Sequence, residues 1–198
     1  MKKSILGLVC LLFLNSCYSQ PDKQVKSYFN SVCKTTEYHG DLSEPMKWNQ
    51  DIKIFVKGKQ VDYLLVELQK IVSELNSIIN PISLRIVNSE SNANMIVFFG
   101  SEKDFNNFDK NSKKYTKNNF GAFIYYGNEY ITRVNLYVDI YRADTKNSQK
   151  HLLREELTQS LGLFNDTYDY PNSIFYQGWT ETTQFADIDI KLIKMLYN

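Results

Sequence analysis

Histidine, cysteine and charge of one sign are all scarce in this 198-residue chain, and each shortage removes a class of function. There are two histidines, His39 and His151. His39 falls in an irregular N-terminal stretch, and nothing in the pattern ties it to His151. Of the three cysteines, Cys10 and Cys17 belong to an N-terminal export segment, so Cys33 stands alone. A disulfide framework is therefore excluded, and with no identifiable partner base Cys33 reads as an inert thiol rather than a nucleophile. The 23 basic residues against 22 acidic ones leave a net charge of +1, which makes no field to attract nucleic acid or anionic lipid. Gly121, Gly127 and Gly178 are isolated, so no phosphate-cradling loop appears. Internal repeats and long low-complexity tracts are absent too. The chain is long enough for one domain with its own core.

What is present begins with aromatics, 14 Tyr and 12 Phe, in a chain of 43% hydrophobic content. That favours a well-packed domain containing strands over a helical bundle. At the N-terminus, Lys2 and Lys3 precede an apolar run from Ile5 to Leu14 that is too short to span a bilayer, the pattern of a secretory signal. Leu14-Asn15-Ser16-Cys17 resembles the bacterial lipobox, which implies cleavage after residue 16 and lipidation of Cys17. Ordinary signal-peptidase cleavage after Ser19 is the competing reading. Loss of Lys2 and Lys3 turns the net charge of +1 into −1. The expected organisation is a lipoprotein-type signal over 1–16, a tether and irregular segment over 17–49, and a single domain over 50–198. The expected destination is across the inner membrane to the cell envelope, lipid-anchored, or periplasmic or extracellular in soluble form.

From Asp51 the pattern sharpens. Ile52, Ile54 and Val56 alternate as in a half-buried strand ending at Gly58. Apolar residues from Leu64 to Ile79 then recur at helical spacing until Asn80-Pro81 stops them. Strands are expected over 82–88 and 94–100, the second apolar almost throughout as in a central strand. Ser101 caps a short helix near 102–109. Two further strands, Gly121–Gly127 and Ile131–Tyr141, join through a turn at Gly127-Asn128. A helix from about Thr145 to Leu163 and a terminal helix near 183–197 close the chain. The order describes an α/β sandwich with the last two helices packed on the sheet.

The helix HLLREELTQSLGLFND, His151 to Asp166, carries the chemistry. His151, Glu155 and Gln159 are four apart and form one polar column. Leu152, Leu153, Leu157, Leu161 and Leu163 supply the apolar surface, and Gly162 sits where a helix ends in a left-handed residue. By spacing alone this is a capped amphipathic helix with a solvated polar face. His151 and Glu155 could share a metal with Asp166 or Asp169, although a helix-surface contact explains the pair as well. Glu155 and Glu156 cannot act as a glycosidase pair, because adjacent helical residues point roughly 100° apart.

Glu155-Glu156-Leu157-Thr158-Gln159-Ser160-Leu161-Gly162-Leu163 aligns without a gap on the zincin pattern H-E-x-x-H-x-L-G-L. Ser173-Ile174-Phe175 resembles a Met-turn. The chain is similar to the metzincin and matrixin-like zincins over about 51–198. It is more similar to a family of bacterial secreted and lipoprotein domains of unknown function whose helix reads E-E-x-x-Q-S-L-G-L and then N-D. The resemblance implies a zincin-like α/β (α+β) fold: a twisted, mostly parallel sheet of about five strands, one long N-terminal helix, an active-site-type helix and a C-terminal helix. It also implies that Glu156 stands at the catalytic glutamate position, and that Glu155, Gln159 and Asn165 stand at the three metal-ligand positions.

Those three offer one carboxylate and two carboxamides where catalytic zinc needs imidazoles and an open water site. Such oxygen donors suit Ca²⁺ or Mn²⁺ better than Zn²⁺, and weakly. Without a Lewis acid, Glu156 has no acidified water to deprotonate. The expectation is therefore an envelope-anchored protein without a cofactor or zinc peptidase activity, whose cleft is structural or binds a peptide or protein partner. The alternative is a hydrolase using Glu156 with a non-zinc metal or another arrangement. If Cys17 carries the anchor, Cys17→Ala should move the protein from the membrane fraction to the soluble one on cell fractionation; retention in the membrane would refute the anchor.

Overall fold

The computed structural model describes residues 22–34, 40 and 42–198, so the signal segment, Cys17 and His39 lie outside the described residues. Five strands form one sheet: β1 (Ile52–Gly58), β2 (Leu84–Ile86), β3 (Met95–Gly100), β4 (Gly121–Tyr126) and β5 (Arg133–Asp139). Their spatial order is β2-β1-β3-β5-β4. All neighbours are parallel except β4, which runs antiparallel to β5 at the sheet's edge. The fold is mixed α/β, with a mostly parallel sheet as expected.

Alternation along the strands builds two cores. Val97, Phe99, Leu136 and Val138 face a large core shared with α1 (Lys23–Cys33), α2 (Asp62–Ile78), α5 (Lys146–Gln159) and α6 (Asp187–Tyr197). Phe98, Tyr137, Ala122 and Ile124 face the other way, against Phe105 of α3 (Glu102–Phe108) and Tyr115 of α4 (Lys113–Thr116). Side chains on both faces are thus buried, and this is why β3 reads as an unbroken apolar run. Among the described residues, no helix is long and apolar enough to cross a membrane.

One stretch departs from expectation. Residues read as irregular contain α1, capped by Asp22 and buried through Tyr28, Val32 and Cys33. The Tyr28 hydroxyl meets Ser173 Oγ at 2.8 Å. Ser173 donates to Asp189 at 2.5 Å, so Tyr28 donates to Ser173. Asp189 also accepts from the Ile174 and Ala186 amides, and thereby ties the Ser173-Ile174-Phe175 turn to α6. Burial pushes the Asp189 carboxyl above its usual range despite these donors. Burial likewise pushes the Cys33 thiol up, in keeping with an inert sulfur.

Helix α5 is the central element. Thr145 caps it, accepting from the Ser148 amide at 2.9 Å. At the other end Trp48 Nε1 donates to the Ser160 carbonyl (3.0 Å) and the Tyr197 hydroxyl to the Leu161 carbonyl (2.7 Å), which satisfies acceptors the helix cannot pair itself. Gly162 then turns the chain at φ +120°, where a Cβ would lie 2.2 Å from the Met46 carbonyl oxygen. The solvated polar face expected from spacing does not exist: His151, Arg154, Glu156 and Gln159 are all buried. Arg154, fully buried, donates to Glu67 at 2.9 Å and to Glu74, both on α2, with its guanidinium 4.6 Å from the Phe185 ring centre.

The turn from β5 toward α5 is organised by Asp139. Its carboxylate accepts from the Tyr137 hydroxyl at 2.6 Å, from the Tyr141 and Arg142 amides at 2.9 Å each, and from the Arg142 side chain. Arg142 extends onward to the Asn119 carbonyl at 3.0 Å, just ahead of β4. Burial alone would raise the Asp139 pKa, but these donors hold it below the ordinary carboxylate range. A depressed folded pKa contributes stability that is present above the unfolded value, near 3.9, and lost as pH falls through the folded value. Asp139→Asn should cost about 2–4 kcal/mol in denaturant unfolding at pH 7. The gap to the parent should hold constant down to about pH 5 and narrow below about pH 4; a pH-independent gap would contradict this assignment.

Candidate functional site

The ladder between β4 and β5 fixes what β4 offers to solvent. Register pairs Gly121 with Val138 and Phe123 with Leu136. The Asp139 amide donates to the Phe120 carbonyl, so Phe120, Ala122 and Ile124 bond toward β5. The amides and carbonyls of Gly121 and Phe123 consequently point the other way, along the sheet's outer edge. Among the described residues no strand pairs there. The side chains of this second set face α5.

Between β4 and α5 lies a cleft of about 380 Å³. Its floor is made of Glu155, Glu156 and Gln159 from α5, with Asp166 from the segment beyond Gly162. Its walls are largely aromatic. Phe164 stacks between Phe123 (centroids 6.0 Å apart) and Tyr125 (4.8 Å), while Trp179 meets Phe120 edge-on at 6.4 Å. Gly121 lets helix and strand approach closely: a Cβ there would stand 2.5 Å from Glu156 Oε1. Trp179 is 61% exposed and forms the lip.

The structure brings together three of the four residues at the catalytic and ligand positions and leaves out the fourth. Glu155, Glu156 and Gln159 line the cleft. Asn165 does not; its amide donates to the Ser31 carbonyl of α1 at 3.3 Å and to the Asp166 carbonyl at 3.0 Å. Asp166, one residue later, takes the place in the cleft and accepts from Gln159 Nε2 at 2.6 Å. The glycine turn thus delivers the neighbour of the residue that the motif singles out. Phe120, Phe164 and Trp179 were not legible as site residues. They come from segments outside the helix motif's pattern, and no local spacing joins them to it.

His151 is buried rather than on a helix surface. Its Nδ1 donates to the Thr182 carbonyl at 2.8 Å, and Nε2 lies 3.4 Å from Glu155. Burial lowers its pKa, outweighing the Thr182 carbonyl and the Glu181 carboxylate that favour the cation. Asp169 is exposed and outside the cleft. Among the described residues, no group of three or more His, Cys, Asp or Glu side chains is arranged to hold a metal ion. The set also does not fit catalytic zinc. Gln159 turns its N–H group on Asp166, Asn165 is turned away, and among the described residues no imidazole nitrogen lines the cleft.

Strand order, edge strand and the helix beneath it define a mixed α/β protein of zincin-like fold. Among solved structures, that of myroilysin is similar with a TM-score of 0.50 and 10% identity, covering 78% of this chain and 86% of myroilysin. An archaemetzincin from Methanopyrus kandleri is similar at a TM-score of 0.46 and 11% identity, covering 74% of this chain and 95% of that one. No curated protein is significantly similar. The chain belongs to the family described as "Protein of unknown function (DUF2927)", which matches residues 22–198 and so takes in α1 as well as the sheet.

Because the Asn165 side chain ties the loop to α1, Asn165→Ala should act on stability and not on the cleft. The expected loss is roughly 1 kcal/mol in denaturant unfolding. Unchanged stability would mean that the tether contributes nothing.

Proposed function

We propose that the protein is an envelope-anchored member of its family that holds an extended peptide or protein segment in the cleft beside β4, without zinc peptidase activity. The observation that carries this reading is the coincidence of a cleft of about 380 Å³ with an outer strand edge whose Gly121 and Phe123 backbone groups point away from the sheet. An extended segment laid there gains main-chain hydrogen bonds as an added strand, with alternate side chains directed into the cleft. Such capture needs no metal. The lipobox-like Cys17 supports placement at the envelope surface, where an exported segment would be met.

A second reading, a hydrolase in which Glu156 works with a non-zinc metal or by another arrangement, draws on the position of Glu156 in the cleft against Gly121. One set of measurements separates the two. The purified mature protein is assayed for bound zinc and for casein cleavage with and without chelator, and is titrated with extended peptides. The expected results are no stoichiometric zinc, no cleavage, and peptide binding abolished by N-methylation at alternate residues in one phase and spared in the other. Chelator-sensitive cleavage with stoichiometric zinc would overturn the proposal. Cleavage that persists in chelator and disappears in Glu156→Gln would establish the second reading instead.

A further inference from the structure

The face of the sheet opposite the large core is only partly covered. Helices α3 and α4 pack over Phe98, Tyr137, Ala122 and Ile124, which belong to β3, β5 and β4. On β1 and β2, alternation sends Ile52, Ile54 and Leu84 into the large core and so turns Lys53 and Arg85 the other way. Register pairs Lys53 with Arg85, on strands about 4.8 Å apart. Two cations thus stand side by side on one face, where like charges repel.

They line a pocket of about 450 Å³, a size that suits a small molecule. Asn94 braces it, accepting from the Lys53 amide at 2.6 Å and donating to the Asp51 carbonyl at 2.8 Å. Gln50, Ser91 and Asn92 add uncharged polar side chains to the lining. Among the described residues, no Asp or Glu side chain lines this pocket. The acidic groups nearby have partners of their own: Glu90 pairs with Lys57 at 2.5 Å, and the exposed Asp51 carboxylate accepts from the Ser83 amide at 2.8 Å. The Ser83 bonds hold the Asp51 carboxyl below its usual range, with a smaller contribution from Arg85 and Lys53. Two cations against that one carboxylate leave the surroundings of the pocket net positive.

We propose that this pocket, on the other side of the sheet from α5, binds a phosphate ester of a small hydroxylated molecule, its phosphate held between Arg85 and Lys53. The planar guanidinium of Arg85 takes two phosphate oxygens as a fork, and the Lys53 ammonium meets a third as a point charge. A phosphate monoester carries close to two negative charges at neutral pH, enough to offset both cations and relieve their repulsion. The hydroxyls of the ester face Gln50, Ser91 and Asn92. A carboxylate, with one charge and two oxygens, occupies only one of the two cations fully. The near-zero net charge of the chain makes the attraction local, confined to within about 10 Å of the pocket at ordinary salt.

The test titrates the mature polypeptide, made without its lipid, with glycerol 3-phosphate, acetate and glycerol at equal low ionic strength, followed by calorimetry. Glycerol 3-phosphate should bind with a Kd of about 1 mM or tighter, acetate at least about tenfold more weakly, and glycerol not measurably. Arg85→Gln and Lys53→Gln should each weaken the ester at least about tenfold. Lys57→Gln, which removes a cation already paired with Glu90 outside the pocket, should leave ester binding unchanged. Bound ester should also raise the thermal midpoint of the parent and not that of Arg85→Gln. Sedimentation with vesicles distinguishes the two sources of such an ester. Binding to phosphatidylglycerol but not phosphatidylcholine vesicles, lost in Arg85→Gln, places the phosphate in a lipid head group; ester binding without vesicle binding places it in a soluble molecule. Equal binding of acetate and the ester would overturn the assignment of a phosphate. No ester binding, or ester binding that survives both Arg85→Gln and Lys53→Gln, would overturn the site.

Discussion

The buried guanidinium of Arg154 sets the geometry on which the cleft depends. It lies on α5 and reaches two carboxylates of α2, Glu67 and Glu74, in the interior between the helices. A buried ion pair gains little net stability over a hydrophobic contact, but truncating one partner typically costs about 3–5 kcal/mol, because the other charge is left unpaired. The arrangement therefore resists rotation or sliding of α5 more than it adds to the total stability. Adjacent helical residues are about 100° apart. With Arg154 pinned toward α2, Glu155 turns toward the cleft, and Gln159 follows it one turn later. The bonds from Trp48 and Tyr197 to the Ser160 and Leu161 carbonyls, just past α5, hold the far end of the same helix. Orientation in the site thus originates in contacts on the opposite side of the helix from the site.

Much of the sheet was legible because burial on both faces leaves so plain a signature. Met95–Gly100 is buried throughout and reads so. The long helix α2 was legible for a related reason: its apolar residues recur at helical spacing and Pro81 follows it. Helix α1 was not. It buries only Tyr28, Val32 and Cys33, and its remaining surface is polar enough to resemble a linker. Its role emerges only from the partners it finds at Ser173 and in the loop after Gly162, both more than 100 residues away. Helix α5 misled in the opposite direction. Its column of His151, Glu155 and Gln159 suggested a solvated face, whereas His151 and Gln159 are buried and Glu155 is only partly exposed.

The site was half legible. The motif on α5 singles out Glu155, Glu156 and Gln159, and all three line one cleft, since helical spacing is rigid. It failed just past Gly162, where the path of an irregular loop decides whether residue 165 or 166 faces inward. Nothing in local spacing determines that path; the Asn165 bonds to α1 do. The aromatic walls were beyond reach for a similar reason. Phe120, Phe164 and Trp179 come from three separate segments, and only folding makes them neighbours.

The near contact between Gly121 and Glu156 has a bearing on how this cleft can diversify. A strand residue without a side chain and a helix residue with a long acidic one occupy a single shared volume. Neither position is independent of the other. A side chain gained at 121 requires a shorter one at 156, or a wider separation of β4 from α5 and with it a different cleft. Within the family, the two positions should therefore vary together, as paired states, and the width of the cleft should follow the pair.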